Sequence, residues 1–144
     1  MRPGREHLQM TADAFPPRVL IVMSDDSRRA LIRAALREVG YDAIGTHGPR
    51  DAWLVPPDEQ DRASVRLIIV DQNALSPVEI ESLSALRRRF GDPDMLLLAR
   101  ATVAPPDGPW HRVLRRPVSV AEIVSAAEEL VPLPAELRHA IDAR

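Results

Sequence analysis

The chain has 144 residues, a formal net charge of -2, 45% hydrophobic and 28% charged residues, and no cysteine. That size suits one domain with its own core, and the missing cysteines exclude disulfides and thiolate metal sites. Near-neutral charge gives no basic field for nucleic acid, 3% aromatics give few stacking platforms, and no run approaches the roughly 20 apolar residues of a membrane helix.

Residues 1 to 17 lack periodicity, end in Phe15-Pro16-Pro17, and read as a flexible arm. Met1 to Met10 is polar, without the apolar centre of a secretory signal, so a cytoplasmic setting is expected. Val19 to Val22 is a β-branched apolar run, the pattern of a strand buried on both faces. Ser24 to Ser27 supplies helix caps, with Asp25 and Asp26 read as capping residues. Leu31, Ala35 and Val39 then share a face, and Gly40 stops the helix. On that helix Arg28, Arg29, Arg33 and Arg37 are expected to face solvent, a partner surface being the other reading.

Tyr41 to Thr46 predicts a second strand. Gly48-Pro49 opens a short helical piece with Trp53 in or near the core, broken by Pro56-Pro57. After a polar loop, Val65 to Val70 is the clearest strand and runs directly into Asp71. Ser76, Pro77 and Glu79 form a capping box with proline at the first helical position. Ile80, Leu83, Leu86 and Phe90 mark that helix's buried face, and Arg87 to Arg89 suit its C-terminal dipole. Met95 to Leu98 is a fourth strand, and Ala104 to Pro109 is too rich in proline and glycine for a helix. Arg112 to Arg115 is a short fifth strand. Ser119 and Glu122 repeat the capping box before Ile123, Ala127 and Leu130, and residues 132 to 144 form a tail or short helix.

Alternating strands and helices imply an α/β fold: a flavodoxin-like, doubly wound, five-stranded parallel sheet with helices on both faces. Functional residues in such sheets gather at the carboxyl ends of the strands. Here that means the residues after Val22, at Asp71 and after Leu98.

Asp71-Gln72-Asn73 at the third strand end, Arg116-Pro117 opening the last helix, and a gapless fit from Val22 to Tyr41 carry a resemblance. Over residues 18 to 131 the chain resembles a CheY-like response-regulator receiver domain. The resemblance implies a phosphoacceptor at Asp71. A plain strand-end turn is the other reading of Asp71 and Asn73.

The departures imply a degenerate variant, a pseudo-receiver. Receivers place two acidic residues after the first strand, where Met23 and Ser24 stand; Asp25 and Asp26 come too late. Ala99 replaces the hydroxyl residue ending the fourth strand. Arg116 takes the lysine position, and Val113 takes the aromatic position three residues before it. The family's fourth helix is expected to be shortened or missing.

Attack of a carboxylate on a phosphoryl group brings anions together and needs Mg2+ with several oxygen ligands. Asp71, Asn73 and Asp25 are the remaining candidates, so Mg2+ binding is expected to be weak or absent. Without metal, Arg116 or Arg115 could pair with Asp71. None of His7, His47, His111 and His139 has metal-ligand spacing.

The leading expectation is a stand-alone receiver in two-component or phosphorelay signal transduction. It would act without phosphorylation, by protein-protein contact, and without enzymatic turnover. No attached DNA-binding domain is expected, the sequence given ending soon after the last helix. Ala101 to Pro117, with Trp110 as an exposed anchor and Arg115 beside it, is the expected partner or homodimer face. The partner would be a signalling protein such as a histidine kinase or effector, not nucleic acid or membrane. The alternative is a working response regulator phosphorylated on Asp71 by a histidine kinase. A third class, a flavodoxin-like cofactor binder, would need a phosphate loop that Met23 to Arg28 has no glycine to form.

Overall fold

A computed structural model describes residues 15–135 and 137. The strands are β1 (Arg18–Val22), β2 (Asp42–Thr46), β3 (Val65–Asp71), β4 (Asp94–Ala99) and β5 (Arg112–Arg115). The helices are α1 (Asp26–Val39), α2 (Pro49–Trp53), α3 (Pro77–Arg89) and α4 (Val120–Leu130), with a 3-10 turn at Gln72–Ala74. The five strands form one parallel sheet in the order β2-β1-β3-β4-β5. β1, β3 and β4 are central and almost wholly buried, as their continuous apolar runs require.

Strand alternation sends Val19, Ile21, Leu67, Ile69, Leu96 and Leu98 to the face covered by α1 and α4. Leu20, Val22, Ile68, Val70 and Met95 go to the face covered by α2 and α3. Each fully buried aliphatic side chain contributes about 1.5–3 kcal/mol, so these two layers dominate the stability. Both expected capping boxes form, at Ser76 with Glu79 and at Ser119 with Glu122. Gly40, at φ 119°, ends α1 in the left-handed conformation that glycine adopts without strain.

Three expectations are corrected. The buried face of α1 is built on Ile32 and Leu36, whereas Leu31 is exposed; spacing by four fits either row, and contact with the sheet selects the second. Trp53 is 45% exposed, because α2 is too short to carry its last residue under the sheet. Trp110 is half-buried rather than an exposed anchor. Its indole Nε1–H donates to the Pro106 carbonyl at 2.8 Å and its ring packs on the α2/α3 face.

Between β4 and β5 there is no helix, as the prolines predict. The arm and tail expectations fall largely outside the described residues, as do His7 and His139. Among the described residues no helix is long and apolar enough to cross a membrane.

Arg18, the first residue of β1, is fully buried. Its Nε donates to the Ala63 carbonyl at 2.6 Å, Nη1 to Pro56 at 3.0 Å and Nη2 to Pro57 at 2.6 Å. Prolines offer only carbonyls, and a guanidinium offers only donors, so the loop from α2 to β3 closes around this one side chain. Glu59 lies 3.8 Å away, and Arg62 joins it to Asp42. Loss of hydration lowers the pKa of Arg18, whereas hydrogen bonding to Asp42 raises that of Arg62.

Candidate functional site

The carboxyl ends of β1, β3, β4 and β5 converge on Asp71. It is the last residue of β3, with only 2% of the side chain exposed. Oδ1 accepts the backbone N–H of Asn73 at 3.2 Å, which caps the 3-10 turn. Oδ2 lies 2.6 Å from Nη2 of Arg116. Of the two candidate arginines, Arg116 makes the pair. It directly follows β5, its N–H donates to the Ala99 carbonyl at 3.0 Å, and its peptide bond to Pro117 is cis. The Arg116 side chain is one-quarter exposed, and its Nε is buried without a hydrogen-bond partner among the described residues.

A second arginine closes the rim. Arg100 donates its backbone N–H to Gln72 Oε1 at 2.8 Å and its Nε to Asn73 Oδ1 at 2.9 Å. Sequence reasoning missed it, although its place directly after the fourth strand was the available signal. Arg115 reaches the Val103 carbonyl at 3.1 Å and pins the β4–β5 segment instead of approaching Asp71.

The remaining candidates are spread out. Met23 is fully buried in the core between the sheet, α1 and α4. Ser24 is half-buried, and Asp25 is exposed as the N-cap of α1, accepting the Arg28 N–H at 3.0 Å. Asp26 pairs with Arg29 at 2.8 Å. Ala99 is buried, Pro117 is exposed, and Val113 is 37% exposed. His111 is structural: Nδ1 accepts the Met95 N–H at 3.0 Å, joining the starts of β4 and β5.

These residues do not fit Mg2+. The ion needs several hard oxygen ligands. Here one carboxylate oxygen already faces a guanidinium, Asp25 caps a helix, and Met23 is a soft donor inside the core. Among the described residues no three His, Asp or Glu side chains cluster as a metal site. No lysine stands opposite Asp71 either: the chain's 19 Lys and Arg residues are all arginine, and Arg116 holds that place.

Comparison with solved structures decides the fold. A response regulator from Thermotoga maritima superposes with a TM-score of 0.64 at 14% identity, covering 81% of this chain and 98% of the other. The chemotaxis protein CheY4 of Vibrio cholerae gives 0.64 at 18% identity, covering 81% and 99%. The fold is that of a response-regulator receiver domain. A chain described as adenylate cyclase from Rhodopirellula baltica shares it, with a TM-score of 0.66 at 16% identity over 90% of this chain and 94% of the other. No family model matches the sequence, and no curated protein does. At these identities the likeness concerns the receiver fold, and the chemistry rests on the residues around Asp71.

Proposed function

We propose that this chain is a receiver-fold signalling protein that works without phosphorylation, with Asp71 held by Arg116 and output through protein contacts. One observation carries the reading: a 2%-exposed carboxylate bonded at 2.6 Å to a guanidinium. Burying a lone carboxylate is costly, and a charge-assisted bond offsets that cost. Arg116 therefore supplies the positive charge that a metal would otherwise bring. It also occupies the carboxylate oxygen that would attack a phosphoryl group. Ala99 offers no hydroxyl to a phosphoryl oxygen, and the planar fork of Arg116 is a poor substitute for an ammonium.

Output is placed on the segment from Ala101 to Pro117. No helix forms between β4 and β5, Val103 and Val113 expose apolar surface, and Arg115 holds the segment's course. The partner is a signalling protein, a kinase or effector, or a second copy of the chain. Mg2+ plays no part, and we expect no turnover.

The second reading, a regulator phosphorylated on Asp71 by a histidine kinase, draws support from the retained strand-end aspartate and the partial exposure of Arg116. Incubation with a small-molecule phosphodonor and Mg2+, followed by intact mass measurement, separates the two. The mass is expected to stay unchanged. A stoichiometric gain of one phosphate, lost in Asp71→Asn, would overturn the proposal.

A further inference from the structure

The α2/α3 side of the molecule leaves apolar surface uncovered. Trp53 and Leu54 close α2, Val78 opens α3, and all three are exposed, Leu54 by 74% and Val78 by 76%. Between the two helices runs an apolar groove of about 470 Å³, lined by Ser82 and Ala85 on α3 and by Trp53 and Leu54 opposite. Val78, Ser82 and Ala85 follow at spacings of four and three, so they share one face of α3. Exposed apolar side chains gathered in one place mark interaction surfaces, whereas scattered ones do not. None of the groove's lining belongs to the Ala101 to Pro117 segment.

Trp53 is exposed yet held. The Arg89 guanidinium lies 5.2 Å from its ring centroid, and Nη2 of Arg89 donates to the Val55 carbonyl at 3.4 Å. This stacking orders the indole in advance, which reduces the entropy lost when a partner covers it.

The charges beside the groove name the occupant. Glu81 and Arg88 are both exposed on α3. Seven residues make nearly two full turns, so the pair lies on one flank, about 10.5 Å apart along the axis and beyond ion-pair reach. Pairing within a helix needs a partner three or four residues away. Forward from Glu81 and backward from Arg88, those positions are the same two, Ser84 and Ala85. Neither charge makes an ion pair among the described residues. The helix dipole favours Arg88 in the last turn, but it does not extend to Glu81 in the second.

A second copy, turned antiparallel, supplies what each charge lacks. A two-fold axis crossing α3 between Ser84 and Ala85 brings Glu81 of each copy against Arg88 of the partner subunit. The apolar stripe then packs on its own equivalent, and the small side chains of Ser82 and Ala85 let the two helices approach closely. Charges pair on one side of the crossing, and Trp53 and Leu54 lie on the other. We infer that α3 and the end of α2 form a self-complementary face through which two copies of this chain associate, with their α3 helices antiparallel. The face is small, so the association is weak and concentration-dependent. It leaves the Ala101 to Pro117 segment open to a different signalling protein, and it is independent of the state of Asp71.

The test is sedimentation velocity of the full chain from micromolar to millimolar concentration, where a shift from monomer to dimer is expected. Leu54→Glu, at an exposed position, should weaken the dimer about tenfold or more. Glu81→Arg and Arg88→Glu each set like charges against one another across the axis, and each should weaken it to a similar degree. An equimolar mixture of those two variants should regain a dimer, because opposite charges then meet at both contacts. Val113→Glu, on the output segment, should leave the dimer unchanged, and circular dichroism checks that every variant is folded. A monomer at all concentrations would overturn the inference, as would a dimer that survives Leu54→Glu or mixed variants that stay monomeric. Loss of the dimer in Val113→Glu would place the second copy on the output segment instead. A monomer that binds an amphipathic helical peptide through Leu54 would give the face to a different protein, and either result refutes the antiparallel pair.

Discussion

Arg18 and Arg116 occupy opposite ends of the same sheet and do opposite things with the same side chain. Arg18 precedes the core of β1, is fully buried, and gives all its bonds to backbone carbonyls of one loop. Arg116 follows β5, keeps a quarter of its side chain in solvent, bonds one carboxylate, and leaves its Nε without a partner among the described residues. Desolvation lowers the pKa of Arg18, so its charge is disfavoured in the folded state wherever both states are protonated. Arginine stays protonated throughout the practical range, which makes that cost insensitive to pH, and the three carbonyls offset it. Arg18 thus organises a loop, whereas Arg116 neutralises a carboxylate that the fold would otherwise strand.

The largest expected effect comes from Arg18→Ala. It removes three bonds from a charged donor and the packing of a long stem at once, and it leaves the carbonyls of Pro56, Pro57 and Ala63 short of donors. A loss of about 3–5 kcal/mol is expected in urea unfolding, with the midpoint temperature falling about 10–20 °C. A loss under about 1 kcal/mol would show that the loop finds other partners and that the contrast with Arg116 is false.

Next comes Arg116→Ala. Removing one partner of a fully buried pair costs about 3–5 kcal/mol. Solvent around Arg116 screens part of this, so about 1–3 kcal/mol is expected. Asp71→Asn/Arg116→Ala should recover most of the loss, since no unpaired charge then remains, and the double-mutant cycle with the two single variants should give clear coupling. Additive losses in the cycle would mean that the 2.6 Å contact does not hold Asp71.

Sequence patterns made the fold legible where burial is uniform. Three central strands were visible as apolar runs, and two helices announced their starts through capping boxes at Ser76 and Ser119. Ambiguity remained where one spacing fits two faces, as with Leu31 and Ile32, because only contact with the sheet separates adjacent residues. At the site, Asp71 and Arg116 were legible because strand order brings their strand ends together. Asp25 was rightly read as a cap. Arg18 was not legible at all: a charged residue before a strand reads as solvent-facing, and the carbonyls that bury it lie 38 to 45 residues away. Trp53 and Trp110 exchanged expected roles for a similar reason, as the length of α2 and the path of the β4–β5 segment set their exposure.

The finest distinction between the two arginines is made by lysine. At position 18 an ammonium cannot span carbonyls contributed by Pro56, Pro57 and Ala63, because its donors diverge from a single nitrogen whereas the guanidinium fork presents three separate ones. Arg18→Lys should therefore keep most of the destabilisation of Arg18→Ala. At position 116 a single strong bond to Asp71 Oδ2 carries the pair, and an ammonium can make that bond from the solvent-exposed side. Arg116→Lys should shift stability by less than about 1 kcal/mol, while restoring a compact cation opposite the strand-end carboxylate. Unfolding curves of the two lysine variants, measured side by side, should differ by several times the smaller effect. Equal losses at the two positions would mean that Arg116, too, works through the geometry of its fork. Asp71 would then be held by a shaped clamp rather than by charge alone.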